Sequence, residues 1–392
     1  MLVDENRVYN ITKRLAFPRL VGSMGEKNAR EIIIDEIKKA GYTDIHNDTF
    51  KTSIYSWVFV RYIFVVMGLI LVGLAFSFYV FPIITLFLIF GFFIGLFKFL
   101  GMATPKENKL MSNEDKNFLT ENIFINLKSK NQKAKIVFMA HYDSKSQTFP
   151  TSIRMLIFLI SIFGLIILLF IYLIFSILKI LLSFNVPILN DILLYISIVI
   201  AGVGFLNFFN KTGNASPGAT DNATSVATVI ELARFFKESS LDNIELTFLL
   251  TSSEELNLGG AVDFINKHQI EFEKDSTFFI NFDTIGSLGD IRIVTSHGIP
   301  RKISSKKLSE LFIKSAKELK IPIKNIYVPV GAWSDEQIMV KFGYQACVLG
   351  SVGGIKYIHT IIDNMELVSK QGLKNILLLS IDVAKKLNNE YA

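Results

Sequence analysis

The chain has 392 residues, 51% of them hydrophobic and only 19% charged, with a mean hydropathy of +0.42 and a formal net charge of +6. That balance excludes intrinsic disorder, which needs low hydrophobicity and high net charge, and the single cysteine, Cys347, excludes a disulfide scaffold. Gly and Pro are too few, at 24 and 9, for a collagen-like chain.

In chain order, Met1–Ser53 is charged and amphipathic, without the apolar core and small-residue cleavage site of a secretory leader. Within it Ala29, Ile32, Ile33, Ile37 and Ala40 share one helical face, which predicts a helix over Glu26–Ala40 stopped by Gly41. Tyr62–Phe97 then contains no charged residue. As one helix it would span about 54 Å at 1.5 Å per residue, well beyond a ~30 Å hydrocarbon core. Two helices turning at Phe81-Pro82 fit better. Met155–Leu178 and Ile192–Asn210 are further charge-free runs, separated by a loop over Lys179–Asp191 that holds Asn185, Pro187 and Asn190. The pattern predicts four transmembrane helices in two hairpins, because core helices of a soluble domain rarely run so far without a charge. Two hairpins leave Lys51, Arg61, Lys98, Lys106, Lys109, Lys145, Arg154 and Lys211 on one side, against Lys179 with Asp191 on the other. The excess of positive charge predicts that the polar segments are cytoplasmic. One free thiol agrees with a reducing compartment.

The polar remainder alternates strands and helices. Strands are expected at Asn122–Leu127, Lys135–Ala140, Ile244–Thr251, Ser276–Phe282, Asp290–Val294, Ile326–Val330 and Gln345–Leu349. Helices are expected at Asn222–Lys237, opened by Asp221, at Leu258–Lys267 and Ser304–Lys320, and within Glu366–Asn389. This is an α/β pattern with helices on both faces of a sheet. The expected organisation is one discontinuous domain of residues 1–56, 102–152 and 211–392, interrupted by membrane hairpins at 57–101 and 153–210.

Ligands of open α/β sheets bind outside the carboxyl ends of strands. Three such ends are polar: His141-Tyr142-Asp143, Ser252-Ser253-Glu254-Glu255 and Asp283. The loop Gly218-Ala219-Thr220-Asp221-Asn222 opens a helix with an acid, and the loop Tyr357-Ile358-His359-Thr360 adds a second His. His with carboxylates suits zinc or a similar divalent ion. In the pair Glu254-Glu255 one carboxylate can bind metal while the other stays free as a base, and Asp143 can receive the second ring N–H of His141. Each short motif is weak alone; their convergence carries the weight. Gly350, Gly353 and Gly354 read as a turn before His359, Lys302, Lys306 and Lys307 as a solvated helix face, and His46, His268 and His297 as surface or packing residues.

These residues resemble the co-catalytic zinc aminopeptidases of clan MH, the group of aminopeptidase Y, aminopeptidase S and the glutamate carboxypeptidase ectodomains. The likeness rests on Ala-His-Tyr-Asp-Ser at 140–144, Pro-Gly-Ala-Thr-Asp-Asn at 217–222, and Glu254-Glu255 followed by Gly259-Gly260. It continues through Asn-Phe-Asp at 281–283, Ser334-Asp335, and His359-Thr360 with Asp363, preceded by the lead-in Pro18-Arg19 and Gly22-Ser23. The resemblance implies a zinc exopeptidase fold with a mixed, mostly parallel sheet. It implies two Zn2+ ions bridged by Asp221, with His141 and Asp283 completing one site and Glu255 and His359 the other. Glu254 would be the general base, and a non-proline cis peptide would follow Asp221; Asp143, read from the residues themselves as the carboxylate facing His141, joins Glu254 as the second catalytic candidate. One departure stands out: His141 and Asp221 are separated by the second apolar hairpin. That hairpin begins soon after Asp143, so a site near the bilayer, favouring short or membrane-associated peptides, is expected.

The expectation is therefore a membrane-embedded di-zinc aminopeptidase acting on short peptides by metal-activated water. Its partners are a peptide and the lipid bilayer, with no nucleic acid; the sequence leaves the oligomeric state open. A carboxypeptidase or dipeptidase, a one-zinc aminoacyl cyclase, and a non-catalytic membrane scaffold are the alternatives.

Overall fold

The computed structural model describes residues 3–53, 55–102, 118–287, 289–298, 300–329 and 333–392. Lys106 and Lys109, expected near a helix end, and Val330, the expected end of a strand, lie outside the described residues. The elements follow the order α1 (Glu5–Leu15), α2 (Met24–Lys39), β1 (His46–Thr52), α3 (Tyr55–Val80), α4 (Pro82–Met102), β2 (Phe118–Leu127), β3 (Ala134–His141) and β4 (Ser146–Gln147). Next come α5 (Thr151–Leu182), α6 (Pro187–Leu206), β5 (Thr212–Gly213), α7 (Thr224–Glu238), β6 (Ile244–Thr251), α8 (Gly259–His268), β7 (Thr277–Phe282) and β8 (Ile291–His297). The last are β9 (Lys302–Ile303), α9 (Lys306–Leu319), β10 (Ile323–Val328), α10 (Glu336–Lys341), β11 (Gln345–Ser351) and α11 (Lys370–Glu390). The chain divides into two compact units, one drawn from Met1–Ser53, Asn117–Ser146 and Gly213–Ala392, the other from Ile54–Lys116 and Gln147–Thr212.

The first unit is a mixed sheet in the order β1-β2-β6-β3-β7-β11-β8-β10, with β9 paired to β8; β4 and β5 form a separate ribbon. The centre, β6-β3-β7-β11, is parallel, whereas β1-β2-β6 and β11-β8 are antiparallel. This is the expected mixed sheet with helices on both faces. Alternation along β3 explains the two-sided core. Ile136, Phe138 and Ala140 join α1, α2, α7, α9 and α11 on one face, and Val137 and Met139 join α8 and α10 on the other. Phe138 stacks with Phe236, Phe248 and Phe282 at centroid distances of 6.2, 5.9 and 6.1 Å.

Besides the short elements β4, β5, β9 and α10, two elements escape the sequence reading. Helix α1 is capped by Asp4, whose carboxylate accepts the amides of Asn6 and Arg7 at 3.0 and 3.2 Å, and it buries Val8, Ile11 and Leu15. Strand β1 is the polar edge HNDTFKT, with too little apolar alternation to detect. Helix α2 forms as expected: Ser23 accepts the amide of Glu26 at 3.2 Å, and Gly41, at φ +90°, follows its end.

The second unit is helical. The turn expected at Phe81-Pro82 lies between α3 and α4, while α5 runs on to Leu182, which shortens the expected loop. By length and composition three helical stretches, Val58–Val80, Thr151–Leu182 and Pro187–Phe209, are apolar and long enough to cross a membrane. The fourth apolar stretch, Pro82–Gly95, is shorter, so three of the four expected crossings meet that criterion among the described residues. Leu71, Leu74, Phe78, Leu165, Leu169, Tyr172 and Leu193 form the core of this unit. The Tyr172 hydroxyl donates to the Leu193 carbonyl at 3.1 Å and lies 2.7 Å from Ser197 Oγ.

Candidate metal centre

Register builds the site. Parallel pairing sets His141 of β3 opposite Thr251 of β6 and Met139 opposite Asn281 of β7, so that continuing the pairing brings His141 level with Asp283. The carboxyl ends of three neighbouring central strands therefore deliver His141, Glu254-Glu255 and Asp283 to one edge, where an open sheet binds ligands. Asp221 comes from the turn Ala219–Ala223 that opens α7, and a cis peptide joins it to Asn222. Gly218 precedes the turn at φ +57°; a Cβ there would lie 2.6 Å from the Asp221 carbonyl and 2.7 Å from Ser144 Cβ.

The five expected ligands fall into two groups that share Asp221. His141, Asp221 and Asp283 form one, and Asp221, Glu255 and His359 the other, with the ligand atoms of each group within 4.8 Å of one another. The two oxygens of Asp221 divide between them: Oδ1 is 3.3 Å from His141 Nε2, and Oδ2 is 3.2 Å from His359 Nε2. Glu255 Oε1 is also 3.2 Å from His359 Nε2. Glu254 stands alongside, its Oε2 3.9 Å from His141 Nε2.

Asp143 does more than face His141. Its Oδ1 is 3.5 Å from His141 Nδ1, and its two oxygens accept the backbone amides of Glu254 and Glu255, each at 3.2 Å. One buried carboxylate thus fixes both members of the Glu-Glu pair. Asp363 grips the bridging acid in the same way. Its Oδ1 accepts the Thr220 amide at 2.8 Å and the Thr220 hydroxyl at 2.6 Å, and its Oδ2 accepts the Asp221 amide at 3.1 Å. Beneath both lies Arg19, only 1% exposed, which donates to the carbonyls of Tyr142, Pro217 and Gly218 at 2.8, 2.7 and 2.9 Å, and to those of Phe17 and Leu15. It ties the lead-in segment to the end of β3 and to the turn that carries Asp221. Sequence reasoning placed Arg19 and Asp363 in matching motifs without assigning them work, and it gave Lys145 no place in the site. Lys145 lies within it, with Nζ 2.7 Å from Glu255 Oε2.

Burial sets the electrostatics. Desolvation drives the Glu254 carboxyl well above its usual range; His141 opposes this, while Glu255, Asp283 and Asp335 add to it. Burial acts on Glu255 too, but His359 and Lys145 outweigh it and hold the carboxyl at about 2. Adjacent carboxyls are thereby driven apart, one favouring the proton and the other the charge, as an acid–base and ligand division requires. Burial would also raise Asp221, yet the hydrogen bonds from His141 and His359 hold it far below the carboxylate range. Desolvation pushes Asp335 up to about 7, Glu336 to about 8 and Asp363 to about 6.

The donor set fits a divalent cation. Asp143, Asp221, Glu254, Glu255, Asp335 and Asp363 are all buried beside half-buried Asp283, with Lys145 and Arg19 as the cationic groups among them. Buried charge on this scale demands compensation, and imidazole with carboxylate oxygen is the ligand mixture that zinc accepts.

Known proteins resemble this arrangement. Residues 203–384 match the family model for Peptidase family M28. The matched region, just under half of the chain, includes Asp221, Glu254, Glu255, Asp283 and His359, while His141 lies before it. A vacuolar membrane protease of Candida glabrata is 26% identical over 182 residues, 45% of this chain and 18% of that protein. The chain therefore spans less than a fifth of the length of that curated relative. Among solved structures, the zinc aminopeptidase BSAP of Bacillus subtilis is similar with a TM-score of 0.56 at 14% identity, covering 98% of this chain and 95% of that one. The aminopeptidase of Aneurinibacillus sp. strain AM-1 gives 0.55 at 14%, covering 98% and 94%. A glutaminyl cyclase of an Acidobacteriales bacterium gives 0.58 at 13%, covering 100% and 96%. At these identities the likeness establishes the fold, which is that of the zinc aminopeptidases. The M28 match adds a likeness in sequence over residues 203–384.

Proposed function

We propose that the chain is a membrane-anchored di-zinc aminopeptidase that removes N-terminal residues from short peptides. The observation that carries this reading is Asp221, whose two oxygens face two separate His-carboxylate groups while Glu254 stands beside them without belonging to either. His141, Asp221 and Asp283 would hold one ion, and Asp221, Glu255 and His359 the other. When bound, zinc polarises the peptide carbonyl and makes water acidic enough to attack near neutral pH.

The protein's own groups complete the reaction. Glu254 takes a proton from the attacking water and returns it to the leaving amine nitrogen as the C–N bond breaks. Asp143 holds the Glu254 and Glu255 amides so that base and ligand keep their spacing. Asp363 and Arg19 do the same for the turn carrying Asp221. The likeness in fold to two aminopeptidases supports an aminopeptidase over a carboxypeptidase. In this reading residues 1–56, 102–152 and 211–392 make one peptidase domain. The apolar helices would cross the bilayer in two hairpins, and the excess of Lys and Arg at their polar-side ends supports a cytoplasmic domain.

The test is an assay of the purified full-length protein in detergent micelles against free and N-acetylated peptides, with and without chelator. We expect about two zinc ions per chain, turnover of free peptides only, and complete loss on chelation. Equal cleavage of blocked and free peptides would overturn the aminopeptidase assignment. Absence of both zinc and turnover would leave a membrane scaffold.

A further inference from the structure

Resting on the two-ion reading, we propose that Lys145 makes the two cation positions unequal, so that the Glu255–His359 position fills last and empties first. The argument begins with what each outer carboxylate touches. Glu255 is split: Oε1 faces His359, while Oε2 is 2.7 Å from Lys145 Nζ, which also donates to the Glu255 backbone carbonyl at 3.4 Å. Both side chains are buried, at 5% and 3% exposure. Asp283, the corresponding ligand of the other group, instead meets a neutral donor, the Thr284 hydroxyl, 2.9 Å from its Oδ1. Among the described residues no lysine or arginine forms an ion pair with Asp283.

Lys145 is held there by its surroundings. It follows Asp143, whose carboxylate is fixed on the Glu254 and Glu255 amides. It also follows Ser144, whose hydroxyl accepts the Arg19 amide at 3.0 Å and donates to the Ser216 carbonyl at 3.3 Å. The ammonium is therefore an installed part of the site. It acts on a cation in two ways. It engages one oxygen of Glu255, which leaves that carboxylate to offer a single oxygen. It also places a positive charge beside a position meant for a dication, in a buried setting where charges interact far more strongly than in water. The His141–Asp283 position carries neither handicap. Lys145 is thus a positioning residue that sets the order of metal loading.

The experiment is a calorimetric zinc titration of chelator-stripped full-length protein in detergent micelles, with a competing chelator. We expect two steps at least about tenfold apart in Kd, the weaker lost in His359→Ala and the tighter in His141→Ala. Lys145→Met should tighten the weaker step at least about tenfold and leave the tighter one in place. Lys145→Arg, which keeps a cation, should preserve the wild-type gap. An unchanged gap in Lys145→Met overturns the proposal, as does loss of the tighter step in His359→Ala, which needs no Lys145 variant to fold. Uptake of two equal zincs by the wild type overturns the inequality alone, whereas uptake of one or none overturns the two-ion reading with it.

Discussion

Phe138 and Leu69 are both large apolar side chains on regular elements, yet Phe138 is wholly buried in the sheet unit and Leu69 is 68% exposed on α3. The contrast is systematic. In the helical unit Phe76, Phe87, Phe90 and Leu181 stand 66%, 72%, 72% and 74% exposed, while Ser161, Ser176 and Ser197 are buried. A surface of that kind marks a membrane or a protein interface, and in the proposed membrane setting association relies on close packing and interhelical hydrogen bonds. Gly204 illustrates the packing: a Cβ there would meet Ser161 Oγ at 3.5 Å and the Phe64 carbonyl at 3.7 Å. In the sheet unit the rings around Phe138 are inside, and buried carboxylates crowd at the strand ends. The difference teaches that a buried polar atom has opposite meanings in the two units. In the helices it holds neighbours together; at the strand ends it is kept, at a cost in desolvation, for chemistry.

The sharpest way to break that distinction is at Glu254. If it is kept for proton transfer, Glu254→Gln should lower kcat by about 10²–10⁴-fold while zinc content and thermal midpoint stay at wild-type values. Steady-state kinetics with metal analysis on the same preparation measures both. A variant that keeps its turnover would reduce Glu254 to a structural group. Next in size is the core of the sheet unit. Phe138 meets three stacked rings, so Phe138→Ala leaves a cavity that collapse cannot fill and should cost about 3–5 kcal/mol. Hydrogen exchange at β3 and β6 amides reads this within the unit, where a single melting curve would merge two units. A cost below about 1 kcal/mol would show that the core relaxes around the gap.

Legibility in the sequence followed the same physics. Strand β6 runs over Ile244–Thr251, as its near-continuous apolar run predicts, because burial on both faces removes every ambiguous position. The ligand types were visible for a related reason: polar residues that end an apolar strand have few structural excuses. What stayed hidden was long-range. Asp363 reaches the Thr220 amide across 143 positions and Lys145 reaches Glu255 across 110, and nothing local marks either contact. Strand β1 was hidden because an edge with six polar residues among its seven carries no period-two apolar signal. The apolar runs announced their composition but not their helical limits: charge-free sequence continues through the turn between α3 and α4, and α5 extends past Lys179.

The smallest expected effect tests the other side of the comparison. Tyr172 is buried in the helical unit, and its hydroxyl links α5 to Leu193 and Ser197 of α6. If buried polar groups there hold helices together, Tyr172→Phe should lower stability in micelles by only about 0.6 kcal/mol, since partners compete for such bonds even in the unfolded helices. Zinc binding and kcat should not change. Phe87→Ala, on an exposed position of α4, should cost less still, because that side chain leaves one apolar medium for another. Hydrogen exchange at the amides of α4, α5 and α6, compared for the pair in the same detergent, decides the matter. A larger loss from Phe87→Ala than from Tyr172→Phe would mean that the exposed face packs against protein, and the reading of these helices as lipid-facing would fail.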